Sequence, residues 1–372
     1  MAASRTILVT GGAGFIGRAI CRALQERGDQ VRVLDSLIEQ VHGDRDVPSG
    51  LSGDVEFVRG DVRDAAMVGT ALRGVDSVIH LAAEVGVGQS MYAIERYTSV
   101  NELGTAVLLE QLVAQPVRRI VTASSMSIYG EGRYRNEAGA VFDEVVRNSV
   151  ALRRRHWDPV GTSDETLIPV PTPETKHPQL ASVYAIGKYV QERMPMTVAA
   201  AYGMEAVALR LWNVFGPGQA LSNPYTGVLA IFASRIANRR APMIFEDGLQ
   251  RRDFVHVDDV ARAFVLALDE PAAAGGVFNI ASGEQRTVLD VAHDLAKAMG
   301  VDTRPDVTGE GRSGDIRHCL ADISRARSTL GYVPRENFRE RLVDLADWVV
   351  GQDAHDGVAA ATTELKARGL VN

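Results

Sequence analysis

Cysteine is nearly absent from this 372-residue chain: Cys21 and Cys319 are the only two, which excludes a disulfide framework and a cysteine-based zinc knuckle. The eight histidines are scattered, with no HExxH-type pair that would place two metal ligands on one helical face. No apolar run reaches the 18 or so residues of a membrane-spanning helix. Positive charge is also in deficit: 40 Lys and Arg face 47 Asp and Glu, a net −7, which argues against nucleic acid as the main partner. Residues 1–10 run into a strand without the basic start, apolar core and cleavage site of a signal peptide, so the expectation is a cytoplasmic protein of a reducing compartment. Lysine occurs four times against 36 arginines, as a GC-rich genome would give, so each lysine stands out.

What remains is ordinary globular composition, 46% apolar and 23% charged, which assures a sizeable core and excludes wholesale disorder. At about 150 residues per domain the length allows two to three domains, or one large α/β unit with an appendage. Short β-branched runs at 7–9, 31–34, 55–58, 78–81, 119–122, 206–211 and 277–280 alternate with helical stretches at 15–27, 65–72, 101–114, 183–202 and 258–268. Continuous apolar strands separated by helices predict a parallel sheet covered on both faces, a doubly wound α/β fold. Residues 130–180 hold five of the 14 prolines and read as an irregular excursion with one helix near 137–155. Residues 213–249, with a helix near 227–239, and 282–350 read as a smaller, interleaved lobe. The larger domain would then comprise 1–212 and 250–281, with 351–372 as a C-terminal tail or helix.

Gly11-Gly12-Ala13-Gly14-Phe15-Ile16-Gly17 follows a strand and opens a helix. Gly11 suits the tight turn, Gly14 lets backbone approach a pyrophosphate, and Gly17 packs helix on strand, while the helix N-terminus offers unpaired N–H groups and partial positive charge. Asp35, at the end of the second strand, would accept from a ribose hydroxyl pair and repel a 2′-phosphate, favouring NAD over NADP; its alternative reading is a cap on the next turn. Asp61 and Val62 would reach the adenine, and Leu81, Ala82 and Ala83 are small enough to let the cofactor pass.

Tyr184-Ala185-Ile186-Gly187-Lys188 sets a phenol and an ammonium on one helical face. A lysine near a tyrosine favours the phenolate, so the phenol is expected below its usual value near 10, able to take a proton from an alcohol whose carbon loses hydride. The hydroxyl-rich run from Thr122 to Gly130 leaves the fifth strand where open α/β sheets bind ligands. Arg153, Arg154, Arg155 and His156 read either as a solvated helix end or as a basic lid.

Together GGAGFIG, Asp35, HLAA at 80–83, SSMSIYG at 124–130 and YAIGK at 184–188 resemble the extended short-chain dehydrogenase/reductase family. RRDFVHVDD at 251–259 and RSGD at 312–315 extend the likeness over nearly the whole chain. Within that family the chain is most similar to nucleotide-sugar 4-epimerases, and VGVGQS at 85–90, ALSNPYTG at 220–227 and VPTPE at 170–174 look like the dTDP-L-rhamnose 4-epimerases. The resemblance implies a Rossmann-type fold, NAD as cofactor, a nucleotide-sugar substrate and a homodimer built on helices 101–114 and 183–202. It implies Tyr184 as base, Lys188 as its tuner and ribose ligand, and Ser125 as a partner of the carbon-4 hydroxyl. Phe15, Ile16, Ser36 and Asn101 would add cofactor contacts. Val85, Ser127, Asn213, Arg252 and Arg312 would contact substrate, the last three at the diphosphate; a structural ion pair is the alternative for Arg252. Ser127 stands where dehydrating relatives carry an acid, and Val85 where many UDP-galactose epimerases carry a lysine. A 4-ketoreductase or dehydrogenase using the same residues is the second reading, and a non-catalytic dinucleotide sensor the third.

Overall fold

In a computed structural model the described residues are 5–43, 48, 50–225, 227–312, 314–352 and 354–371. Thr226 and Ser313, within two of the motifs above, and residues 1–4 lie outside them. Seven strands form one parallel sheet: β1 (Thr6–Thr10), β2 (Gln30–Asp35), β3 (Glu56–Arg59), β4 (Ser77–His80), β5 (Arg119–Ser125), β6 (Glu205–Leu211) and β7 (Val277–Ile280). Their order is β7-β6-β5-β4-β1-β2-β3, so the winding reverses between β1 and β4, the place where open α/β sheets leave a crevice at their carboxyl ends. The central positions of the inner strands are apolar because helices cover both faces: Ile7, Val9, Val33, Ile79 and Val121 pack on one side, and Leu8, Leu34, Val78 and Ile120 on the other.

The helices are α1 (Phe15–Glu26), α2 (Ala65–Ala71), α3 (Gly104–Ala114), α4 (Val183–Ala201) and α5 (Val257–Asp269). The stretch expected to be helical from Asn101 begins instead with a wider π-helical turn, Ser99–Leu103, before α3 continues it. That turn holds the buried Asn101 side chain against the backbone of Glu84, accepting from its N–H at 2.8 Å and donating to its carbonyl at 3.1 Å.

A second apolar cluster joins Leu229, Phe232, Ile236, Leu295, Phe338, Leu342 and Leu345, from the helices Val228–Ala237, Val288–Ala298 and Phe338–Val350, with Phe215 and Phe254 from the strands Asn213–Phe215 and Arg251–His256. Ala326, Leu330 and Tyr332, in a segment expected to belong to this smaller lobe, pack into the main core instead. The tail carries a helix, Val358–Ala367.

Residues 130–180 differ most from expectation. In place of a helix over 137–155, strands Arg133–Arg135 and Val141–Phe142 pair antiparallel across a turn where Asn136 caps the Ala140 N–H at 2.9 Å and Gly139 takes a positive φ of 87°. Only Ser149–Arg153 is helical. Ile168–Thr172 joins the first of these strands antiparallel and Leu320–Ala321 parallel, so the insert is a small sheet of its own. No helix of the described residues is long and apolar enough to cross a membrane.

Candidate active site

One cavity of about 1670 Å3 runs along the carboxyl ends of the strands, larger than the roughly 300–1,000 Å3 of ordinary ligand sites. Gly11, Gly14, Phe15, Ile16 and Gly17 line one wall, at the junction of β1 and α1. Gly11 has φ 69°, and a Cβ there would meet the Ala82 N at 2.8 Å; a Cβ on Gly17 would lie 2.5 Å from the Gly12 Cα. These two close approaches fix the turn, and Gly14 at the N-cap of α1 brings no side chain to the first-turn N–H groups, leaving the helix end open to an anion.

Asp35 ends β2 and Ser36 follows it, both lining the same cavity, and Asp61 and Val62 line it beyond β3. The Asp35 carboxylate caps the Leu37 N–H at 2.9 Å, as one of its two readings has it, and also accepts from Ala13 N in the glycine turn at 3.0 Å and lines the cavity. Asp61 is held below the usual carboxylate range by its hydrogen bonds from the Arg63 guanidinium. Leu81, Ala82, Ala83 and Val85 complete this wall. The donor set and the glycine cradle fit a dinucleotide.

Across the cavity stand Ser125, at the end of β5, and Tyr184 and Lys188, on the first turns of α4. Ser182 caps that helix, its hydroxyl accepting from Ala185 N at 3.1 Å, so the phenol is set by the helix start. The Ser125 oxygen accepts from the Ser127 N–H at 3.1 Å and the Ser127 hydroxyl at 2.9 Å. With both lone pairs used, the Ser125 proton is left over, and its hydroxyl lowers the Tyr184 pKa by favouring the phenolate. The buried Lys188 ammonium donates to the Ala123 carbonyl at 3.1 Å.

The electrostatics correct the expectation of a lowered phenol. Burial pushes Tyr184 up to about 12, with the Ser125 hydrogen bond drawing it back in part, and burial pushes Lys188 down to about 7. In the chain alone, loss of solvent sets the direction of both shifts.

Asn213 lines the cavity on the smaller lobe's side, but Asn101, Ser127, Arg252 and Arg312 do not. Asn101 stands behind the Glu84 backbone and beside Gly187 of α4, and Ser127 behind Ser125. Arg252 spends its guanidinium on the carbonyls of Arg251, Arg317 and Ile316 rather than on the cavity, and among the described residues it forms no ion pair with a carboxylate. Arg312 pairs with Asp315 at 2.9 Å and stacks on Phe245. Arg153 to His156 are exposed and line no part of the cavity. Unforeseen lining comes from Arg18, Gln40, Glu84, Arg96, Trp348 and Gln352. Glu84 and Arg96 form a bidentate pair at 2.8 and 2.7 Å; Trp348 and Gln352 come from the far end of the chain, and no local pattern marks them.

The model of the NAD dependent epimerase/dehydratase family matches residues 7–148 and 160–281, which include the glycine turn, Ser125, Tyr184 and Lys188. The chain belongs to this family. It is 36% identical to a dTDP-L-rhamnose 4-epimerase of Burkholderia thailandensis, over 93% of this chain and 95% of that protein. Among solved structures it is similar to the UDP-glucose 4-epimerase of Thermotoga maritima with UDP-glucose, at TM-score 0.76 and 31% identity over 92% of this chain and 98% of the other. It is likewise similar to the UDP-glucose 4-epimerase of Thermus thermophilus in complex with NAD, at TM-score 0.75 and 30% identity over 94% and 100%. The resemblance drawn from the motifs thus extends over the family's whole architecture.

Proposed function

We propose that this protein is an NAD-dependent epimerase acting at carbon 4 of a nucleoside-diphosphate hexose, with a dTDP-L-rhamnose-like or UDP-hexose substrate. The observation that carries the reading is the shared cavity: Ser125, whose oxygen takes two donors from Ser127, lines it together with Tyr184, with the buried Lys188 one helical turn on, and with the glycine turn. Likeness to a dTDP-L-rhamnose 4-epimerase supports the choice of sugar.

NAD, held at the glycine turn, Asp35 and Lys188, would supply the hydride acceptor and donor and, in its oxidised form, a positive charge. Tyr184 removes the proton of the carbon-4 hydroxyl, and Ser125 holds that hydroxyl in line. Lys188 keeps positive charge under the phenolate. The resulting 4-keto sugar turns over in the cavity so that hydride would return to the other face of carbon 4, and Tyr184 gives the proton back to the carbon-4 oxygen. Ser127, standing where a dehydratase needs an acid, serves only to orient Ser125, which supports epimerisation over elimination. Asn213 holds the diphosphate from the smaller lobe; Arg252 and Arg312 join it only after leaving their present partners. Exposed Leu103, Val113, Ile186 and Tyr202 on or beside α3 and α4 support a homodimer through these helices. A cytoplasmic location agrees with two free, buried cysteines.

The test is proton NMR of the purified protein with dTDP-L-rhamnose, then UDP- and dTDP-hexoses, in heavy water without added cofactor. A carbon-4 epimer that keeps its original hydrogen is expected. Conversion only on supply of a dinucleotide would favour the 4-ketoreductase or dehydrogenase reading instead. Tyr184→Phe is expected to abolish turnover and keep binding; retained activity would refute its role.

A further inference from the structure

A loop of the smaller lobe, residues 216–225, lies against the dinucleotide wall of the cavity and is fastened there. Arg18, on the first turns of α1, donates to the Gly218 carbonyl at 2.5 Å. The Gln40 amide, just beyond β2, donates to Asn223 Oδ1 at 3.1 Å and to Gln89 Oε1 at 3.1 Å. Arg18, Gln40, Gly218 and Asn223 all line the cavity, so these bonds bridge it between the glycine-turn wall and the lobe.

The other side of the loop is held by the C-terminal segment. The His355 N–H donates to the hydroxyl of cavity-lining Ser222 at 3.0 Å, and a Cβ on Gly357 would lie 3.5 Å from the Pro224 ring. The Arg368 guanidinium sits 4.5 Å over the Tyr92 ring, whose hydroxyl hydrogen-bonds that of Tyr225 at 2.6 Å. Asp356 anchors the segment: it is buried between Arg235 at 3.4 Å and Arg240 at 3.0 Å, and its other oxygen caps the final helix at the Val358 N–H, 3.0 Å away.

We propose that the C-terminal segment 354–371 keeps the dinucleotide in place: by bracing the 216–225 loop across the cavity it slows cofactor release, with Asp356 and Arg368 as positioning residues. This rests on the reading above that the cavity takes NAD. It adds a physical reason for choosing between a catalyst that returns hydride to the same sugar and one that must exchange its dinucleotide every cycle. The first gains from a braced loop, and the second would be slowed by it.

The test uses the full chain loaded with NAD, freed of excess nucleotide by gel filtration, and follows the NAD remaining on the protein with time. Asp356→Ala and Arg368→Ala are expected to release NAD on the order of tenfold faster, as changes at a fixed binding surface act mostly on the off-rate. Arg368→Lys, which keeps a cation over Tyr92, is expected to release it near the original rate, and kcat at saturating NAD should change little in all three. The Arg368 side chain is 42% exposed, so its variants keep the test alive if Asp356→Ala fails to fold. Release at the original rate from Arg368→Ala would overturn the proposal. Unsubstituted protein that holds no NAD would overturn the dinucleotide reading and this inference with it. Protein that holds NAD tightly but epimerises no sugar would overturn only the reaction.

Discussion

Ser127 gives both its backbone N–H and its hydroxyl to the oxygen of Ser125, at 3.1 and 2.9 Å, and so decides where the Ser125 proton points. Ser125→Ala removes the donor to the Tyr184 oxygen and to the substrate hydroxyl; kcat is expected to fall on the order of a hundredfold, the scale for losing one aimed donor. Ser127→Ala keeps the N–H bond and only loosens the hydroxyl, so a loss of about tenfold is expected, with KM nearly unchanged. Steady-state kinetics of the two variants check the order; an equal loss from both would make Ser127 a chemical participant.

The phenol and the ammonium titrate against each other's needs. Burial raises Tyr184 to about 12 and lowers Lys188 to about 7, and a charged Lys188 favours the phenolate. Lys188→Met keeps the burial and removes the charge, so the Tyr184 pKa must rise further. The rising limb of the pH–rate profile is expected to move to higher pH, with turnover at neutral pH down on the order of a hundredfold. A limb that stays in place would show that Lys188 only holds the ribose.

Much of this was legible in the sequence because its signals are local. Seven β-branched runs marked the seven strands of the sheet, and the strand–glycine–helix order marked the turn. What failed was what depends on distance. The insert sheet hid behind Pro169 and Pro171, which argue against a strand, and behind pieces of two and three residues too short for any period to register. Arg252 was read for its charge, but the carbonyls of Ile316 and Arg317 come from 64 and 65 residues away. The phenol's shift was read from one neighbour, whereas burial by the whole fold sets its sign.

Behind the catalytic residues, Glu192 on α4 meets Arg210 on β6 through bonds of 2.7 and 2.9 Å, with both side chains buried. Ser124 donates to the same carboxylate at 2.7 Å, and Arg210 continues to the Tyr129 hydroxyl at 2.7 Å. Glu192→Gln strands a buried guanidinium, so a loss of about 3–5 kcal/mol in urea unfolding is expected. The double variant Glu192→Leu, Arg210→Met should lose less than either single change, since no unpaired charge remains. Additive losses would rule out the pair as a unit.

His80, at the end of β4, is fully buried, and its neutral form is satisfied on both nitrogens. Thr105 already donates its hydroxyl to the Asn101 carbonyl at 2.6 Å, so it accepts from the His80 Nε2–H at 3.0 Å, leaving Nδ1 to accept from Thr10 at 2.7 Å. Burial, aided by the charge of Lys188, pushes the imidazole down to about 3. The unfolded chain takes up its proton near pH 6.5, so the unfolded state binds more protons between there and pH 3, and stability falls as pH falls through that window. Between pH 6.5 and 5 this one group should remove about 2 kcal/mol, at about 1.36 kcal/mol per unit. Other groups titrate there too, so the measurement is a difference: urea midpoints at pH 7.5, 6.5 and 5 for the protein and for His80→Gln. The variant is expected to be less stable at pH 7.5 and to lose less on acidification; equal slopes would mean that His80 is protonated in the folded protein and that its bonds to Thr10 and Thr105 rearrange to accept the charge.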